Sequence, residues 1–174
     1  MEYDETLNLD AEIQWHGIGG LTVNGMGQYI DSLIARQGRP DILIIHCGGN
    51  DIGTVSIRKL RVKFNMFIKY LYDVFPDTLI VWSQILPRLY WRHMLSSIAA
   101  EQTRQRLNNY VSARVLQQGG AFIKYPELQK YSCKLYEVDG VHLSRVGYGI
   151  FISTIQGALY LFINSLQNVF PAYY

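Results

Sequence analysis

The chain is short of several things, and each shortage removes a class of protein. It holds two cysteines, Cys47 and Cys133. That is too few for a disulfide framework, and they read as free thiols in a reducing compartment. The net charge is only +2 and no block of like charges occurs, which argues against nucleic acid as a partner. The acidic opening Met1-Glu-Tyr-Asp-Glu-Thr6 has no apolar h-region, so no signal peptide is expected. The most apolar stretch, Ile150 to Ile163, is broken by Ser153, Thr154, Gln156 and Gly157. It falls short of the roughly 20 residues that span a bilayer. These absences point to a cytoplasmic chain without a membrane span. Repeats, low-complexity tracts and linkers are missing too. What remains, 174 residues with 49% apolar and 17% charged, reads as one domain over residues 1–174 with a proper core.

Strand-like and helix-like segments alternate along it. Glu12 to His16 alternates polar and apolar residues and stops at Gly17, which predicts a strand. Gly25 to Arg36 reads as a short helix, closed by Gly38 and Pro40. Asp41 to Cys47 is a continuous apolar run of the kind found in a sheet buried on both faces. Ile57, Leu60, Phe64, Phe67, Ile68, Leu71 and Phe75 recur at three- and four-residue steps, an amphipathic helix that Pro76 ends. A third strand, Thr78 to Ser83, is followed by a helix from Ser96 or Ser97 to Gln117. A short fourth strand covers Ala121 to Lys124, and a last helix capped by Ser144 runs to about Asn168. The alternation predicts a parallel sheet with helices on both faces, a doubly wound α/β fold. Ligands of such sheets bind outside the carboxyl ends of the strands.

Two stretches at those ends carry chemistry. In His46-Cys-Gly-Gly-Asn-Asp51, the side-chain amide of Asn50 can donate to a developing oxyanion. Gly48 and Gly49 would let a substrate approach the backbone. Asp51 is expected to hold Asn50 through local backbone hydrogen bonds. In Glu137-Val-Asp-Gly-Val-His-Leu-Ser144, Gly140 permits a turn that brings Asp139 to His142. The carboxylate would fix the imidazole's tautomer and leave its other nitrogen as a base; a turn with an exposed histidine is the plainer reading. Gly17-Ile-Gly-Gly20 would bring a backbone N–H to the same edge. Arg88, Trp91, Arg92 and His93 form a basic and aromatic cluster, either a lid gripping an acidic or phosphorylated substrate or a solvated loop with one anchoring Trp. His16, His46 and His142 lie near strand ends with Asp51 and Asp139, but no dense ligand spacing such as H-x-x-x-H occurs. Neither a metal nor another cofactor is expected.

On these residues the chain resembles the SGNH, or GDSL-type, hydrolases. The family's G-x-N-D block is matched by Gly48-Gly-Asn-Asp51, its D-x-x-H block by Asp139-Gly-Val-His142, and its glycine block by His16-Gly-Ile-Gly-Gly20. "LIIHCGGNDIG", "VWSQILPRLYWR" and "DGVHLSRVGYGIF" together resemble a subgroup often found beside vertebrate mobile elements. The resemblance implies a three-layer α/β/α, flavodoxin-like sheet and a small ester as substrate. It makes His142 the general base, Asp139 its orienter, and Gly20 and Asn50 oxyanion donors. Read from the residues themselves, Gly49, Arg88 and Trp91 are the candidates to touch the substrate.

The family's first block, a strand ending in G-D-S that carries the nucleophilic serine, has no counterpart among these residues. The resemblance therefore implies an N-terminally incomplete domain, lacking the family's first strand and helix and inactive alone. Ser83, Ser56 and Thr22 are not expected to stand in. The stretch Glu2 to Asp10 is too polar for a central strand and resembles the family's link between first helix and second strand. Glu12 to His16 is then expected to pair with Asp41 to Cys47 in a four-stranded sheet. One face would lack a helix and leave an apolar patch for a protein partner or absent segment. Three readings stand open: an ester-hydrolase domain, a pseudohydrolase that binds a partner, and a gene fragment with no function.

Overall fold

The structure, a computed structural model, describes residues 7, 9–129 and 132–172. Most of the acidic opening, with the link read into Glu2 to Asp10, lies outside the described residues.

Helices form where the apolar spacing and the caps agree. In α2 (Ile57–Val74), Leu60, Phe64, Phe67, Ile68 and Leu71 make one buried stripe, and the Ser56 hydroxyl accepts from the Lys59 N–H at 3.4 Å. Ser96 caps α3 (Ser97–Gln117) by accepting from the Ala99 N–H at 3.2 Å. Ser144 caps α4 (Arg145–Asn164) through the Gly147 N–H, also at 3.2 Å. At α1 (Val23–Gln37), Thr22 makes no side-chain cap. The bond comes instead from Asp51, far along the chain, whose carboxylate accepts from the Val23 N–H at 3.1 Å. The carboxylate expected to make local bonds is thus a long-range cap, placed where the helix dipole favours negative charge.

Four parallel strands, β1 (Ile42–Ile45), β2 (Leu79–Ser83), β3 (Ala121–Ile123) and β4 (Val169–Phe170), form one sheet in that order. Side-chain alternation divides two layers of core. Ile45, Ile80 and Trp82 face α1, α2 and α3, whereas Val81, Ala121 and Ile123 face α4. This is the expected three-layer α/β/α, doubly wound arrangement.

The identity of one strand differs from expectation. Glu12 to His16 forms no strand: the stretch is exposed apart from half-buried Ile13, which packs with Leu7 and Leu9 against the α4-side core. Alternation encodes a face and not a neighbour, and a strand requires an edge to bond. The outer edge of β1 pairs with no strand among the described residues. The fourth strand is supplied by Val169–Phe170, just beyond the expected end of the last helix near Asn168; the helix itself stops at Asn164. The Asn168 and Phe170 carbonyls accept from the N–H groups of Phe122 and Lys124 at 3.0 and 2.7 Å. The anticipated bare face is partly clothed, since Leu7 is buried there and Ile42 and Ile44 are half-buried. At 20 residues α4 is, by length and composition alone, long and apolar enough to cross a membrane, which corrects the shorter stretch read from the sequence. Its Ile152, Ile155, Ala158, Leu159 and Phe162 are buried in the α4-side core of this fold.

Candidate active site

The loop after β1 explains its glycines by packing. Gly48 has φ +98°, and a Cβ there would meet Phe64 Cζ at 2.8 Å and Ile85 Cδ1 at 2.9 Å. Only glycine satisfies both the conformation and the space. A Cβ on Gly49 would run into the Arg88 guanidinium, with Cζ at 2.8 Å. The room left by Gly49 is taken by the end of that side chain. The turn closes with the Asp51 N–H on the Gly48 carbonyl at 3.1 Å. This sets Asn50 at its corner, its Nδ2 donating to the Leu21 carbonyl at 3.1 Å. One amide N–H is thereby fixed on the glycine block, and an amide nitrogen has a second. Gly20, exposed and in the left-handed region at φ +75°, precedes the residue that Asn50 grips. Asp51 is buried, and desolvation pushes its carboxyl up, opposed by the Val23 bond and the charge of Lys63.

The loop before α4 brings Asp139 to His142. His142 Nδ1 lies 2.5 Å from Asp139 Oδ2, while Asp139 Oδ1 accepts from the N–H groups of Val141 and His142 at 2.9 and 3.0 Å. The His142 bond first, and the two backbone bonds after it, hold the Asp139 carboxyl down to about 2. The pair is open to solvent, and Nε2 of the exposed imidazole is left to face a reactant. Trp91 is buried.

A third loop joins these two. Leu89 and Tyr90 donate to the Gly140 carbonyl at 2.8 and 3.2 Å, and the Arg88 guanidinium reaches the Asn50 Oδ1 at 3.4 Å. Contacts thus run unbroken from Leu21 through Asn50 and Arg88 to the turn that carries His142. Residues the sequence reading missed hold this loop. Asn108 pins Ile85 by accepting from its N–H at 2.8 Å and donating to its carbonyl at 2.9 Å. The buried Arg104 donates to the same carbonyl at 2.6 Å and to Glu101 and Gln129, and the Tyr136 hydroxyl donates to the Pro87 carbonyl at 2.9 Å. Their one sequence signal is the polar series Arg104, Asn108, Ser112 at four-residue steps, placed on the inward face of α3.

A second imidazole is paired with a hydroxyl. His46 Nδ1 lies 2.9 Å from Ser83 Oγ, which lies 2.6 Å from the Tyr125 hydroxyl. Ser83 is fully buried, so no reactant reaches it. Ser56 is occupied as the cap of α2, and Thr22 sits at the start of α1. The His46 ring packs edge-on against Phe151 and Tyr125. Desolvation pushes its pKa down against the Ser83 bond, while solvent at the sheet edge limits how far.

Polar loops gathered at the carboxyl ends of a parallel sheet, between two helical layers, define the class: a doubly wound α/β/α protein with its site at the strand ends. No family model and no curated protein matches the chain. Solved structures do. A GDSL-like lipase from Bacteroides thetaiotaomicron is 20% identical with a TM-score of 0.67, covering 83% of this chain and 74% of its own. A carbohydrate esterase family 3 protein from Talaromyces cellulolyticus is 18% identical, TM-score 0.64, over 83% of this chain and 69% of its own. The esterase domain of the ORF1 protein from the zebrafish ZfL2-1 retrotransposon is 24% identical, TM-score 0.51, over 83% and 85%. The chain has the fold of the SGNH, or GDSL-type, hydrolases.

Proposed function

We propose that the chain is an ester-hydrolase domain whose nucleophilic serine arrives on a strand added at the outer edge of β1. The observation that carries this reading is the imidazole–carboxylate pair of His142 and Asp139, with the carboxylate held ionised by three donors. In the reaction, the serine hydroxyl gives its proton to His142 Nε2 as its oxygen attacks the ester carbonyl. Asp139 stabilises the imidazolium, and the Asn50 amide with the Gly20 N–H receives the developing oxyanion. Collapse releases the alcohol, which takes the proton from His142. Water, activated by the same imidazole, then frees the acid.

The place of the serine follows from β1. Its four residues are all apolar, as in a strand with neighbours on both sides, yet its outer edge is unpaired among the described residues. A parallel strand bonded there would end beside His46 and Gly48, at the carboxyl edge that holds Asn50. The same open edge favours a second reading, a binding module that takes a partner's strand without turnover.

Short-chain p-nitrophenyl esters separate the two. The 174 residues alone are expected to be inactive, and the chain extended at its N-terminus by a G-D-S strand and helix active, with His142→Ala reducing turnover by about 10³-fold or more. Turnover by the unextended chain that survives His142→Ala would remove the triad.

A further inference from the structure

Arg88 sits in a loop that the fold holds on both sides. Upstream, Asn108, Arg104 and Tyr136 bond the Ile85 and Pro87 backbone; downstream, Leu89 and Tyr90 are tied to Gly140. The guanidinium lies over Gly49, in the space a Cβ would take, and 5.4 Å from the ring of buried Trp91. What the fold does not provide is an anion. Among the described residues its one acceptor is Asn50 Oδ1, 3.4 Å from both terminal nitrogens, long for such a bond. No carboxylate of the described residues pairs with it. Asp139, whose charge acts on it, spends its oxygens on Val141 and His142. Burial, and then the like charge of Arg92, press on the guanidinium. A half-buried cation with a cationic neighbour, and no carboxylate bonded to it among the described residues, is stabilised by an incoming anion, and its planar fork fits the two oxygens of a carboxylate or phosphate.

We propose that Arg88 is an anion clamp: the ester turned over at Asn50 carries a carboxylate or phosphate group a few bonds from its reacting carbonyl. The assignment of substrate class rests on the hydrolase reading; the anion site itself does not. Arg92 strengthens the field, and Trp91 holds the guanidinium plane while the anion takes the N–H groups that the long bonds to Asn50 leave unused.

The test uses binding without turnover, so failure of ester hydrolysis leaves it intact. The folded chain is titrated separately with inorganic phosphate, monomethyl succinate and neutral dimethyl succinate, following the Arg88 Nε–H and Trp91 indole N–H resonances. Saturable shifts at both are expected for at least one anion and none for the diester, and the anion that binds names the source. Arg88→Gln should weaken binding about tenfold or more, and Arg88→Lys, which keeps the charge but loses the fork, several-fold; Arg92→Gln should cost less. Circular dichroism verifies each fold, and Arg88→Lys serves should the Gln variant not fold. Absence of a saturable shift at Arg88 with either anion overturns the proposal, as does wild-type affinity in Arg88→Lys and Arg92→Gln together.

Discussion

On one face of the sheet, α1, α2 and α3 bury Leu60, Phe64 and Leu107 completely; on the other, α4 shares the ground with Leu7, Leu9 and Ile13. Ile42 and Ile44 point to this second face and remain half-buried, while Ile45 beside them is buried against the first. Leu43, on the first face, is half-buried too, so the apolar strand has one residue, Ile45, in the core and three that are half-covered. The contrast teaches that the four-residue composition of β1 suits an interior position, while the sheet places it at an edge. The candidate site shares that division. Its Asn50 corner is locked into the well-covered side by Gly48 and Asp51, whereas His142 and Asp139 stand in solvent.

The largest expected difference lies between the layers. Phe64→Ala should cost about 3–5 kcal/mol, as for a large buried aromatic, and Ile44→Ala about 1 kcal/mol, because its surroundings are already partly open. Denaturant unfolding of the two variants measures this, and equal costs would break the comparison. Next, Gly48→Ala combines a positive φ with two close contacts and should cost about 2–3 kcal/mol. Gly19→Ala meets nothing within 4 Å and should stay within about 0.5 kcal/mol. Asp51→Ala removes the cap of α1 and should lower stability by about 1–2 kcal/mol. Asp139→Ala should leave the unfolding midpoint nearly unchanged, because its partners are on an open loop. A large loss in the second variant would show that the His142 loop is structural.

The smallest effect concerns acid. His46 is pushed below its ordinary value of 6.5, so on acidification the unfolded chain takes up this proton first. Stability from this group is complete above that value and falls as the pH drops below it. Asp139, held down to about 2 from 3.8, stands in solvent, so its contribution is screened to little; that remainder is complete above 3.8 and lost as the pH falls toward 2. Asp51, raised by desolvation, has the opposite sign, because the folded state takes its proton more readily. Melting temperatures between pH 7.5 and 4.5 should fall more steeply in the wild type than in His46→Gln; parallel slopes would exclude His46 as the source.

Most helices were legible because their signals are local. The stripe from Leu60 to Leu71 and the caps Ser96 and Ser144 fall where the residues predict them. The Asp139–His142 pair was legible for the same reason, since three residues and a glycine turn set its geometry. What escaped were relations between distant residues. Nothing near Asp51 announces Val23 as its partner, and nothing near Gly49 announces the side chain that fills its place. Glu12 to His16 has the alternation of a strand and no edge to bond, whereas Val169–Phe170, with two residues, is a strand because β3 offers one.

The sequence by itself determined the period of each element, the caps of most helices, and an imidazole within reach of a carboxylate, because these depend on neighbours a turn apart. Only the tertiary structure decided which strands bond, where Asp51 and Arg88 reach, and that β1 lies at the edge of the sheet among the described residues. Hydrogen-bond pairing between strands and the filling of space are satisfied by whatever the fold brings near, and residues distant along the chain carry no local mark of it.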